Sequence, residues 1–129
     1  MSIDTIDVSM QPNKKTNIKA AITAVGGYVP DDFISNKDLE KMVDTNDEWI
    51  TARTGIKKRR ILKERGKGTS FLAISAAKDL IAKKEINPET IDLVIVSTIT
   101  PDFHGAPTAP SVASVIKAKN AYAFDLSAA

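Results

Sequence analysis

Cysteine is missing from this sequence of 129 residues, and histidine and tryptophan occur once each. Without cysteine there is no disulfide framework, no thiolate metal site and no thiol nucleophile among these residues. The single histidine, His104, has no second histidine and no cluster of carboxylates beside it, so no metal site is expected. Asp102 lies nearby in the same loop, but no nucleophile motif accompanies the two, which favours a surface or packing role for His104.

Long apolar runs and an excess of charge of one sign are also missing. No apolar run approaches the roughly 18 residues that a transmembrane helix needs, and the first residues lack the apolar core of a signal peptide. Eighteen basic and sixteen acidic residues give a net charge of +2, which is too small to indicate a nucleic-acid partner. We therefore expect a cytoplasmic globular protein without a membrane or nucleic-acid partner.

The pattern of apolar and turn residues predicts alternating strands and helices. Residues 1–17 show no periodicity and are predicted to form a flexible extension, whereas 18–129 carry the predicted elements. Continuous apolar runs predict strands, and apolar residues at helical spacing after a Ser or Thr predict helices. The predicted strands cover 18–25, 93–96 and 122–126, and 56–62 is a basic extended stretch. The first two predicted helices begin at Ser35 and at Thr45; the second has capping-box spacing to Glu48 and ends at Gly55. The other two run from Thr69 or Ser70 to about 84 and from Ser111 to about 119.

This order of elements predicts an α/β fold with a largely parallel sheet. The run at 93–96 is typical of a strand that is covered on both faces. Three strands with few large apolar residues would give a thin core. The pattern therefore favours part of a larger fold.

Trp49 and Arg53 form the most suggestive pair in the sequence. At positions i and i+4 of a short helix they share one face, so an indole and a guanidinium could be presented together to solvent. Such a pair can stack on an adenine ring while the cation attracts phosphate. The alternative is a buried tryptophan that anchors the helix, with Arg53 paired to a surface carboxylate.

A basic run follows at 57–60 (KKRR). It could hold the phosphates of an anionic cofactor or contact an acidic carrier protein. The alternative is a solvated edge strand that its charges protect from aggregation.

Residues 121–129 (AYAFDLSAA) read as a buried strand that leads into a run of small residues. In α/β enzymes the turn after such a strand often holds a nucleophile at a helix N-terminus, where the helix dipole favours negative charge. The printed residues stop before such a nucleophile.

Several segments together resemble the 3-oxoacyl-(acyl-carrier-protein) synthase III family, also called beta-ketoacyl-ACP synthase III. The most specific is 47–56 (DEWITARTGI); the others are GGYVP at 26–30, NKDL at 36–39, RR at 59–60, the strand at 92–98, TPD at 100–102 and FDLSAA at 124–129. The likeness runs from about residue 18 to the end, in order and at family-like spacing.

The resemblance implies the N-terminal part of a thiolase-like fold, in which a five-layered α/β/α/β/α subunit with mostly parallel sheets forms a homodimer. It implies an acyltransferase that starts fatty-acid synthesis by decarboxylative Claisen condensation of a short acyl-CoA, commonly acetyl-CoA, with malonyl-acyl carrier protein. No tightly bound cofactor is implied, since the coenzyme A thioester is a substrate. The implied partners are acyl-CoA, acyl carrier protein, a second copy of the subunit and, as a further option, a second chain that carries the rest of the fold.

The same resemblance implies roles for individual residues. Trp49 and Arg53 match the residues that hold the CoA adenine, and Thr45 lies at a position that lines the same site. The nucleophilic cysteine is expected immediately after Ala129, so the resemblance places no catalytic residue within this chain and implies that the chain alone is inactive. His104 does not match the family's catalytic histidine, and Gly105-Ala106-Pro107 stands where many members have an aromatic residue before the proline.

Two other functions remain open at this point. One is another CoA-primed condensing enzyme, of the polyketide-starter or hydroxymethylglutaryl-CoA synthase type. The other is a non-catalytic half-fold that binds CoA or a partner chain.

Overall fold

The computed structural model describes residues 20–127. The predicted extension at 1–17, the start of the predicted strand at 18–25, and Ala128 and Ala129 lie outside the described residues. The elements in chain order are β1 (Phe33–Ser35), α1 (Asn36–Leu39), α2 (Asp47–Thr54), β2 (Lys58–Arg60), α3 (Thr69–Lys84), a 3-10 turn (Pro88–Thr90), β3 (Leu93–Ser97), α4 (Ala109–Val115) and β4 (Tyr122–Leu126).

The four strands form two separate pairs. β1 and β2 are antiparallel, with Ile34 opposite Arg59, and β3 and β4 are parallel, with Ile95 opposite Phe124. The α/β class is therefore confirmed. The largely parallel sheet is present only as the β3–β4 pair, because the basic stretch pairs with β1 instead of joining that sheet.

The core lies between the β3–β4 pair and the helices α3 and α4. Its buried members are small or medium apolar side chains: Val96, Ala109, Val112, Ala113, Ile116 and Ala118. Ala73, Ile74, Ala77 and Ile81 of α3 pack against this cluster. Small side chains let the helices approach the sheet closely, but they bury little apolar area, which makes the core thin, as the sequence predicts.

The other face of the β3–β4 pair is uncovered within 20–127. Leu93, Ile95, Phe124 and Leu126 are each about half exposed, and Tyr122 is 81% exposed. The prediction that the strand at 93–96 is covered on both faces is wrong for the described residues, because α3 and α4 pack against one face only.

Residues 20–25, the described part of the first predicted strand, have no strand partner and form no strand. This prediction is wrong there because apolar residues become a strand only when another strand supplies hydrogen-bond partners. The following residues instead pack on α3. The backbone N–H of Gly27 donates to Asp79 Oδ2 at 3.0 Å.

Two helices begin where a distant carboxylate accepts their first N–H groups. Asp102 accepts from the N–H of Ser70, with both oxygens at 3.1 Å, so α3 begins without a cap from its own side chains. Asp125 of β4 accepts from Thr108 and Ala109 at 2.6 and 2.7 Å. These contacts place the start of α4 two residues before the predicted Ser111.

In the part of the chain that the structure describes, every helix is too short or too polar to cross a membrane.

Candidate functional site

The helix α2 carries the residues that the sequence singled out. Its N-cap is Asn46, whose side chain accepts from the N–H of Trp49 at 2.8 Å. The capping-box spacing predicts Thr45 as the cap, and this prediction is wrong because Asn46 is the residue with extended backbone next to the first helical turn. The helix ends at Gly55, as predicted, where a positive φ of 69° is readily adopted by glycine.

Trp49 and Arg53 are brought together on the outer face of α2. The Arg53 guanidinium carbon lies 5.1 Å from the centroid of the Trp49 ring, which is within cation–π range. Trp49 is 54% exposed, so it is not the buried anchor of the alternative interpretation. The pair presents an aromatic ring and a cation to solvent.

Thr45 lies beside this pair. A depression with a volume of about 220 Å³ is lined by Asp44, Thr45, Asn46 and Trp49. The structure therefore brings Thr45 and Trp49 to one surface. Of the three residues singled out by the resemblance, Trp49 and Arg53 lie on one face of α2, and Thr45 lies just before the N-cap of that helix.

The inner face of α2 is held chiefly by polar contacts. Ile50 is its only buried apolar residue. Asn36, which is 1% exposed, donates from Nδ2 to Asp47 Oδ1 and to the carbonyl oxygen of Ile56, both at 2.7 Å. The sequence predicts Asn36 only as a residue of a short helix. Its burial could not be predicted, because nothing in the neighbouring residues shows that this asparagine will be buried.

These contacts favour the ionised form of Asp47. Hydrogen bonds from the Asn36 amide and then from the Thr51 hydroxyl lower the pKa of the Asp47 carboxyl below its ordinary value of 3.8. The carboxylate at the first position of α2 also interacts favourably with the helix dipole. Asp47 is therefore a structural acceptor.

A larger depression of about 630 Å³ opens next to Asn36, and Lys37, Asp47, Glu48 and Lys57 are among its lining residues. Two cations and two anions share this surface. It has no net charge that would select a ligand of one sign.

Much of the basic run contacts its own chain. Arg59 donates to Asn36 Oδ1 at 2.7 Å, and Arg60 donates to the carbonyl oxygens of Pro30 and Asp31 at 3.0 and 2.7 Å. Lys58 lies 4.9 Å from the centroid of the Phe33 ring. These contacts favour the structural interpretation of the run over a phosphate site.

His104 and Phe103 lie exposed in the loop before α4. Asp102 caps α3, so it does not form a dyad with His104. Among residues 20–127 no group of three or more histidine, aspartate or glutamate side chains is close enough to hold a metal ion.

Comparison with solved structures defines the class of protein. The chain resembles 3-oxoacyl-(acyl-carrier-protein) synthase III of Aquifex aeolicus with a TM-score of 0.74 and 48% identity, over 81% of this chain and 33% of that one. It also resembles the priming beta-ketosynthase of the R1128 polyketide pathway with a TM-score of 0.74 and 38% identity, over 81% of this chain and 31% of that one. The structure is therefore a segment of the thiolase-like fold of ketoacyl synthases.

Sequence comparison makes the assignment more specific. The chain is 55% identical to the beta-ketoacyl-(acyl-carrier-protein) synthase III of Phocaeicola vulgatus over 112 residues, which are 87% of this chain and 34% of that protein. No family model matches the chain. It belongs to the beta-ketoacyl-(acyl-carrier-protein) synthase III family and spans about a third of the length of the curated relatives it matches.

Proposed function

We propose that this chain supplies the CoA-adenine site of an enzyme that starts fatty-acid synthesis. In that enzyme a short acyl group, commonly acetyl, passes from CoA to a cysteine, and malonyl-acyl carrier protein loses CO2 to give the carbanion that attacks the resulting thioester. Trp49 and Arg53 hold the adenine, and Thr45 lines the same site. The family assignment and the geometry of α2 support this proposal.

One observation carries the proposal: the ring of an exposed tryptophan already has an arginine guanidinium carbon 5.1 Å from its centroid. A tryptophan that is 54% exposed loses apolar burial, so its position needs another reason than packing. An adenine ring can cover the exposed indole, while the guanidinium attracts the phosphates. Because the pair is assembled beforehand, little side-chain entropy is lost when the nucleotide binds.

The reaction itself requires groups beyond the printed residues. The nucleophilic cysteine would follow Ala129, at a helix N-terminus that lowers its pKa. The acyl transfer releases CoA as the thiol, and the condensation releases the enzyme thiolate as the new carbon–carbon bond forms. The partners would then be acyl carrier protein and a second subunit. Where the chain occurs as printed, a second polypeptide would be a further partner.

The adenine site can be tested by calorimetric titration of the full chain, together with any polypeptide that co-purifies, with CoA and with pantetheine. CoA is expected to bind and pantetheine, which lacks the adenine nucleotide, to bind much more weakly. Arg53→Ala is expected to weaken CoA binding about tenfold, the scale of a cation–π contact plus attraction to phosphate. Trp49→Ala should weaken it at least as much.

The matched control is Arg65→Ala, which removes the same charge from an exposed residue outside α2. It is expected to leave CoA affinity within about twofold, since isolated surface charges contribute little. If Arg53→Ala and Arg65→Ala had the same effect, or if CoA and pantetheine bound equally well, the adenine site would be disproved.

The likeness to a priming ketosynthase of a polyketide pathway, at 38% identity, favours a second candidate. That enzyme type would use the same CoA site with a different primer. A panel of acyl-CoA primers of different chain lengths, assayed with a polypeptide that completes the fold, separates the fatty-acid enzyme from the polyketide enzyme. The primer length that reacts fastest distinguishes them. If the completed protein binds CoA but transfers no acyl group, a non-catalytic binding module is the better description.

A further inference from the structure

We infer that Asn36 is the positioning residue that fixes the Trp49–Arg53 pair in its ligand-binding orientation. This inference rests on the proposed adenine site for its functional consequence. Its structural part, the control of the tryptophan's orientation by a buried amide, rests on contacts within 34–59 alone.

The first argument is the saturation of the Asn36 side chain. Its two N–H groups are used by the two 2.7 Å bonds to Asp47 Oδ1 and the Ile56 carbonyl, and Thr51 Oγ1 lies at a longer 3.3 Å. Its carbonyl oxygen accepts from Arg59 at 2.7 Å. Each buried polar atom of Asn36 is therefore paired, which only one rotamer and one amide orientation allow.

The second argument is where these contacts fall along α2. Asp47 is the first residue of the helix, Thr51 lies one turn later, and Ile56 follows the C-cap. Trp49 lies between the first two contacts, and Arg53 lies between the last two. One buried side chain thus fixes the helix at both ends and at its middle.

The third argument is that α2 has little else to hold it. A helix of eight residues is marginal in isolation, and only Ile50 is buried. Hydrophobic packing with a single anchor would still allow the helix to rotate about its axis. The directional hydrogen bonds of Asn36 restrict that rotation, together with the bond that Glu40 Oε1 accepts from the N–H of Asp47 at 2.7 Å.

The fourth argument is the connection to the sheet. Asn36 follows β1 directly, its own N–H donates to the Lys57 carbonyl at 3.2 Å, and Arg59 lies in β2 opposite Ile34. The residue therefore joins α2 to the β1–β2 pair. The orientation of the Trp49–Arg53 pair is set relative to a sheet and not only relative to its own helix.

The decisive variant is Asn36→Asp, which places a carboxylate against Asp47 and removes both donors. Because Trp49 is the only tryptophan, its fluorescence reports the orientation of the pair without any ligand. We expect a changed anisotropy and easier quenching by acrylamide in the full chain. Affinity for CoA is expected to fall about tenfold, the effect of losing one hydrogen bond to a charged group.

A rescue separates positioning from general stability. In Asn36→Asp combined with Asp47→Asn, the donor and acceptor of the contact between residues 36 and 47 are exchanged, so part of the lost affinity and of the native anisotropy should return, while the contact with the Ile56 carbonyl stays broken. Asn87→Ala is the matched control: Asn87 caps the 3-10 turn by accepting from the N–H of Glu89, far along the chain from α2. It is expected to change neither the Trp49 signal nor CoA affinity.

The outcomes can be told apart. A folded Asn36→Asp variant with the fluorescence of the unchanged protein would overturn the inference, as would failure of the rescue. If the unchanged protein does not bind CoA, the proposed function fails, and the fluorescence comparison still decides the role of Asn36. If circular dichroism shows that Asn36→Asp is unfolded, Thr51→Val replaces it as the test variant. We expect smaller changes in Trp49 fluorescence and in CoA affinity for this variant. An unchanged Trp49 fluorescence would count against the role of Asn36.

Discussion

At the scale of single residues, the two consecutive glycines have different reasons to be glycine. A Cβ on Gly26 would lie 2.6 Å from the Leu80 backbone nitrogen and 2.7 Å from the Ala76 carbonyl oxygen of α3. A Cβ on Gly27 would meet no atom within 4 Å. Only Gly26 is therefore required for the close approach of this segment to the helix.

This difference gives a matched pair of variants. Gly26→Ala is expected to reduce the free energy of unfolding by about 1–3 kcal/mol, because α3 and the segment must separate to admit the methyl group. Gly27→Ala should change it by less than about 0.5 kcal/mol. Urea unfolding followed by circular dichroism measures both, and equal effects of the two substitutions would contradict the packing shown by the structure.

Trp49 shows how far a single residue can be interpreted from sequence. The spacing from Trp49 to Arg53 predicts a shared helix face, and the 5.1 Å contact confirms it. Spacing does not say whether that face is buried or exposed, since this depends on what packs against α2. The structure excludes the buried-anchor interpretation, and the adenine role stays a prediction.

At the scale of elements, α4 is joined to β4 by Asp125. The N–H groups of Thr108 and Ala109, at the start of α4, donate to its carboxylate and lower its pKa below the ordinary value of 3.8. A carboxyl with a lowered pKa stabilises the fold when it is ionised. This contribution is complete at neutral pH and is lost as the pH falls below about 3.8, through the lower pKa of the folded state.

We therefore expect Asp125→Asn to lower the thermal midpoint by several degrees at pH 7. The difference from the unchanged protein should shrink as the pH falls from 3.8 through the lower pKa of the folded carboxyl, where the carboxyl becomes protonated. Asp92→Asn, which removes the same charge from an exposed side chain just before β3, is the control and should barely move the midpoint. A difference that stays constant with pH would argue against the ionised cap.

The starts of α1 and α3 show where sequence rules for helix capping succeed and where they fail. Ser35 caps α1 as predicted, in a capping box with Asp38, because both partners lie within one turn of each other. The cap of α3 comes from Asp102, 32 residues away from Ser70. Local spacing cannot predict a partner that the fold brings in.

At the scale of the whole molecule, the uncovered face of the β3–β4 pair is the main departure from an ordinary globular domain. Alternate residues of the two strands bring Leu93, Ile95, Tyr122, Phe124 and Leu126 onto this face. Contiguous apolar surfaces of this kind are typical of interfaces. The matched part of this chain spans about a third of the length of the family relatives, so their further residues are the natural candidates to cover this face.

Adjacent residues of β3 test this view. Ile95→Lys, on the open face, is expected to leave the circular dichroism spectrum unchanged and to reduce both self-association and binding of the dye ANS. Val94→Lys, on the face that packs against the core cluster, should unfold the chain, because an unpaired charge would be buried. If the two variants behaved alike, the face would not be open in solution.

The mass of the purified protein gives a companion test. If a second polypeptide completes the fold, it should co-purify and be seen beside the 13.9 kDa chain under denaturing conditions. Ile95→Lys should then abolish the co-purification. A single species at 13.9 kDa that neither aggregates nor binds ANS would contradict the need for a covering partner.

The sequence by itself determined the features that depend on neighbouring residues or on a specific motif. These are the α/β class, the helix with Trp49 and Arg53 on one face, its end at Gly55, the strand at 122–126 and the family, which the segment 47–56 made recognisable. Capping, helical spacing and left-handed glycine are short-range effects, so a single sequence carries them.

Only the tertiary structure decided which groups meet across long distances. It placed Asn36 at the centre of α2, β1 and β2, gave α3 and α4 their caps, paired the basic stretch with β1 and left one face of β3–β4 open among the described residues. Each of these depends on contacts between residues far apart in the chain. Burial and pairing are properties of what packs alongside a residue, and no local pattern contains that information.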